Sequence, residues 1–254
     1  MTAPTGWVGT PRAVARPGTG PGPATRTRTR TRTRTRTRTR TRTSWSVPAA
    51  LVALSLIPLV AGSLRVLEIA GGPHLLPANP RIDAVPAPVV VHIAAAGVFA
   101  LGGAFQLSAG LRRRRPGWHR RSGRLLVGAG LLVALSGLWM TLFYTGAPGG
   151  DLLWAARLLA GTTMAVSVVL GLTAIRRRDV AAHRAWMIRA YALAVAAGTQ
   201  AFTQGAGEAL LGTGELSPAI SVSSGWVINV VVAEWVIRRP VTRRAHIRAR
   251  PVST

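Results

Sequence analysis

Residues 125–144 read LLVGAGLLVALSGLWMTLFY, and residues 119–124 immediately before them read HRRSGR. No charged side chain interrupts the twenty positions of the first stretch. An α-helix rises 1.5 Å per residue, so about twenty apolar residues cross the ~30 Å hydrocarbon core of a bilayer. The apolar residues stand on every face of such a helix, which suits lipid on some sides and protein on others, and not the single stripe of a soluble surface helix. Abrupt passage from arginine into this run marks a helix that enters a membrane from a basic surface.

Five further segments read the same way, at about 45–64, 88–111, 152–175, 190–211 and 216–237. Arg112 to Arg115, the turn from Gly146 to Asp151, Arg176 to Asp179 and the turn from Gly212 to Glu215 separate them. The fifth and sixth spans in chain order carry the most polar residues, Gln200, Gln204 and Glu208 in one and Asn229 and Glu234 in the other. The expected fold is therefore an all-α integral membrane protein, six transmembrane helices in a bundle. Composition agrees. The 254 residues are 48% hydrophobic yet carry a formal net charge of +25, a combination foreign to ordinary soluble domains. All 32 basic residues are arginine, as GC-rich coding produces, and a bacterial source is expected. Cysteine is absent, which removes disulfides, thiolate metal sites and thiol nucleophiles together.

Three regions follow: a tail at 1–44, a membrane domain at 45–239 and a short basic tail at 240–254. Thr and Arg alternate through residues 25–43, where like charges at every second position repel and little apolar surface is available to offset ordering entropy. A disordered cytoplasmic tail is expected, either as simple-sequence expansion or as an anchor for anionic headgroups; nucleic acid is not the expected partner. The first span is longer than a signal-peptide core and no small-residue cleavage site precedes Arg65, so an uncleaved helix is expected. Orientation follows from arginine. With the N-terminus inside, only Arg65, Arg81 and Arg157 fall at the outer side, and the basic loops share the inner one. Both termini are thus expected in the cytoplasm, with the chain in the bacterial plasma membrane.

Polar residues inside such spans are where function is sought. Gln200, Gln204 and Glu208 recur every four residues, on one helix face. His92 and Gln106 lie near the two ends of the second span, and Gly103 and Gly110 are expected on their face, where a neighbouring backbone can approach. His92, Arg157 and Glu208 fall toward the outer interface. Either these groups line a polar pocket for a small ligand or lipid, or they hydrogen-bond across helices and snorkel to headgroups. For Arg157 and Glu234, near helix ends, the second reading is expected. A haem-binding electron-transfer protein and a small-solute transporter are the alternatives. His92 lacks a histidine partner at its own depth, while His119 and His183 share the inner level. No catalytic constellation and no metal-ligand spacing emerges.

Three elements carry a family resemblance: HRRSGR at 119–124, HRAWMIRAYAL at 183–193 and VAEWVI at 232–237. In that order the chain resembles an uncharacterised bacterial membrane-protein family, domain of unknown function 2306. The resemblance implies membrane location and a multi-helix bundle, without a reaction. It singles out His119, Arg120, Gly123, Arg124, His183, Arg184, Trp186, Met187, Arg189 and Tyr191. From these the expected inner-face site is His119, Arg120, Arg124, His183, Arg184 and Tyr191.

Overall fold

A computed structural model describes residues 9, 45–146, 148–214 and 216–239. The two expected tails lie outside the described residues, apart from Gly9. Among the described residues there is no strand; eight helices follow in order, α1 (Ser46–Ile69), α2 (Pro80–Asp83), α3 (Ala87–Gln106), α4 (Ala109–Arg114), α5 (Pro116–Phe143), α6 (Gly150–Arg176), α7 (Val180–Leu211) and α8 (Leu216–Arg238). Five of them, α1, α3, α5, α6 and α8, are long and apolar enough to cross a membrane. Large apolar side chains such as Leu56, Val60, Leu159, Phe202, Val227 and Val231 are exposed on the bundle's outside, as hydrocarbon requires and water would penalise.

The helix that falls short on apolarity is α7, although at 32 residues it is the longest and reaches about 48 Å at 1.5 Å per residue. Its position explains its composition. It touches each of the other five long helices, and Ala190 through Leu193, Val195, Ala196 and Gly198 are buried. A helix wrapped by protein has no need of apolar side chains on all faces, so polarity accumulates on it that composition reads as unsuited to lipid.

Small residues set the packing, as lipid supplies no hydrophobic drive between helices. A Cβ at Gly198 would collide with the backbone carbonyl of Leu54, so α7 and α1 cross at closest approach there. Gly103 of α3 leaves room for the ring of Tyr191, whose hydroxyl donates to the Ala100 carbonyl at 2.8 Å. Phe99, itself 2% exposed, fills the space beside Gly130 of α5 and stacks at a tilt on Tyr191. Polar side chains bridge helices where their alternative is unsatisfied burial: Asn229 of α8 donates to the Ala192 carbonyl at 3.0 Å and accepts from the Thr199 hydroxyl at 2.9 Å.

Two local departures from expectation have plain causes. The second span ends at Gln106, not at 111: Ser108 caps a separate short helix by accepting from Leu111 N, and the arginines at 112–115 must leave the hydrocarbon. Gly110 therefore lies on α4 and does not continue the face of Gly103. His119 and His183, expected in loops, sit in the first turns of α5 and α7; Pro116 starts the former and Asp179 caps the latter through Ala182 N at 2.9 Å.

Direction alternates from each long helix to the next along the chain, giving the bundle two unlike ends. One collects α4, the starts of α5 and α7 and the ends of α6 and α8, and with them most of the arginines among the described residues. Trp45, at the start of α1, meets Phe105, at the end of α3, on this same side. At the opposite end a loop returns over α1, held by Glu68, which is 7% exposed. Its carboxylate accepts from Leu75 N, Leu76 N and Arg65 at 2.6, 2.7 and 2.8 Å.

Candidate functional site

A cavity of about 470 Å³ lies within the bundle, in the half away from the arginine-rich end. Val89 and His92 of α3, Val133, Gly137, Met140 and Thr141 of α5, Arg157, Gly161 and Met164 of α6, Leu193, Ala197 and Gln200 of α7, and Trp226 of α8 form its walls. Asn79, Arg81 and Ile82 border it from the α2 segment, and Tyr144 and Trp154 from the α5–α6 corner. This size falls within the range of about 300–1,000 Å³ typical of small-molecule sites, and apolar walls with a few placed polar groups are their usual lining.

The polar groups have defined states. Ser136 Oγ donates to the Leu132 carbonyl at 2.5 Å and lies 3.0 Å from His92 Nδ1, a contact in which the Nδ1–H tautomer of the imidazole donates. In that tautomer Nε2 is the acceptor nitrogen. Gln200 donates to the Val222 carbonyl at 3.1 Å, tying α7 to α8, and Gln204 donates to the Gln200 carbonyl at 3.2 Å. Tyr144 donates to the Val85 carbonyl at 2.5 Å. Trp154 Nε1 donates to the Thr141 carbonyl at 3.0 Å and so fixes its ring beside the cavity.

The expected intramembrane set is thus divided. His92, Gln200 and Gln204 come together on the cavity, joined by Arg157, for which interhelical hydrogen bonding or snorkelling is the expectation from sequence. Glu208, third in the α7 stripe, is exposed and takes no part in the lining. The stripe runs past the end of the cavity, because α7 extends beyond it. Gln106 belongs to the other end, where its Nε2 donates to the His119 carbonyl at 3.1 Å and to Ser122 Oγ at 2.7 Å. Gln106 Oε1 and His119 Nδ1 are buried there without a hydrogen-bond partner among the described residues.

The inner-face set does not converge on one pocket. His183 Nδ1 donates to the Gly171 carbonyl at 2.8 Å and holds the start of α7 on the end of α6. Arg120 and Arg124 are exposed, and Arg184 is half-buried. Tyr191 is a core residue, 5% exposed. Glu234 instead binds Arg189 through both oxygens, at 2.6 and 3.2 Å, a bridge between α8 and α7 with the guanidinium 4.6 Å from the Trp186 ring centroid. Arg189 and Glu234 lie 45 positions apart, and neither was marked for the other by spacing.

The profile of a family described as Predicted membrane protein (DUF2306) matches residues 89–237. The chain belongs to this family. Family description and bundle agree on a multi-pass membrane protein, and the description assigns no activity. The DUF2306 segment runs from the start of α3 to the end of α8 and contains the cavity wall except Asn79, Arg81 and Ile82. No curated protein and no solved structure matches the chain.

Proposed function

We propose that this DUF2306 protein is a six-span protein of the bacterial plasma membrane that binds one small molecule in its outer cavity, with both termini cytoplasmic. The cavity carries the reading: about 470 Å³ within a helix bundle, bordered by His92, Arg157, Gln200, Gln204 and other polar side chains among apolar ones. Intramembrane polar groups are costly, and a set that faces a shared space has a reason to be there. A sixth span is supported by the length of α7 and its place among the other five. The orientation is supported by arginine gathered at one end, where it meets anionic headgroups.

Native mass spectrometry of the full chain, released from its host membrane, tests the binding reading. Wild-type protein is expected to carry a small-molecule adduct that Ala197→Trp, which fills the cavity, lacks. Identical spectra from the two proteins would remove the reading. An adduct of haem mass with a Soret band would transfer the function to electron transfer.

A further inference from the structure

The charge bordering the cavity is of one sign. Arg81 and Arg157 line it with His92, and no Asp or Glu among the described residues does. Three other arginines have carboxylate partners: Arg65 meets Glu68, and Arg189 and Arg238 meet Glu234. Arg157 is half-buried, within a spanning helix, and has neither an ion pair nor a hydrogen bond among the described residues. Arg81 borders the same cavity. Arg81 spends Nε on Asn79 Oδ1 at 3.1 Å, which leaves its terminal nitrogens free of a described partner. Snorkelling accounts for one guanidinium near a helix end, but not for two like charges brought together at the same cavity.

Guanidinium is the side chain best matched to carboxylate and phosphate, through paired N–H donors in a planar fork. Among the apolar residues of the walls are Met140, Met164 and Trp226. We propose that the cavity takes an amphipathic organic anion, its carboxylate or phosphate head held by Arg157 and Arg81 and its apolar body against Trp154, Met164 and Trp226. This rests on the binding reading above and gives it a ligand class. The anion supplies the counter-charge that the protein omits, and an uncharged analogue of equal length gains only the apolar contacts.

The test uses the full chain in phosphatidylcholine nanodiscs, with quenching of tryptophan fluorescence by 10-bromodecanoate, 10-bromodecyl phosphate and 10-bromodecan-1-ol. Wild-type protein is expected to prefer the two anions over the alcohol by on the order of tenfold or more, the size of a charge-assisted hydrogen-bond pair. Arg157→Gln should weaken anion binding several-fold more than alcohol binding and so sharply reduce that preference, and Arg157→Lys should keep part of it. Should Arg157→Gln fail to fold, Arg81→Gln, on the α2 segment outside the long helices, should reduce the preference in the same direction. Equal binding of acid and alcohol by wild type, or a preference that survives both substitutions to glutamine, overturns the anion and leaves the cavity reading standing. No saturable quenching by any probe overturns the cavity reading itself. Repeating the titration with phosphatidylglycerol in the disc separates sources: competition marks a lipid headgroup, and its absence a soluble amphiphile, and each supports an anion site.

Discussion

Gly198 shows how much of this bundle depends on single atoms. The Leu54 carbonyl occupies the space a Cβ would need, so Gly198→Val must push α1 away from α7. Overpacking of this kind costs about 1–3 kcal/mol, and a clearly lowered midpoint of thermal aggregation in detergent is expected. Tyr191→Phe is the milder contrast. It removes the donation to the Ala100 carbonyl but keeps the ring beside Gly103, and interhelical hydrogen bonds in membrane proteins average roughly 0.6 kcal/mol. A larger loss for Tyr191→Phe than for Gly198→Val would reverse this ranking of packing over hydrogen bonding. At this scale the sequence was partly legible. Spacing placed Gln200 and Gln204 together, yet it could not mark Arg157 as a cavity residue, because whether a guanidinium near a helix end reaches headgroups or turns inward depends on neighbours remote in the chain.

Helix boundaries were legible where chemistry is local and obscure where it is not. Arginine runs and Gly/Pro turns located every long helix, with all ends within about five residues except the starts of α5 and α7. The break after Gln106 was hidden because the residues on either side of it are apolar, and Ser108 caps a helix of only six residues. The extension of α5 and α7 into the basic segments was hidden for the converse reason, since charge was read as loop although arginine is a good helix former. Asp179 is the local device that starts α7, and Asp179→Ala should cost about 0.5–2 kcal/mol. Asp179→Asn should restore most of it, as read by thermal aggregation. Equal losses for the two would show that charge at the helix start matters and the cap bond to Ala182 does not.

For the molecule as a whole, periodicity and length gave away a membrane bundle, and family membership agrees. The cavity was not readable, because it is assembled from five long helices and the α2 segment, and only packing brings those together. Its consequence for the whole molecule is a bundle with two unlike ends, one basic and one hollow. The chain contains no cysteine, so single introduced thiols report on each end without background. Cysteines at Ala78 and at Gly149 should react from outside intact cells with a membrane-impermeant maleimide, and one at Ser122 only after permeabilisation. The most direct test places the thiol in the cavity wall itself, as Ala197→Cys. Labelling from outside in intact cells, slowed by decanoate and lost when Gly137→Trp blocks the space, is the result expected. A thiol at 197 that reacts only after permeabilisation, or at a rate indifferent to both decanoate and Gly137→Trp, would contradict a ligand cavity in the outer half of the bundle.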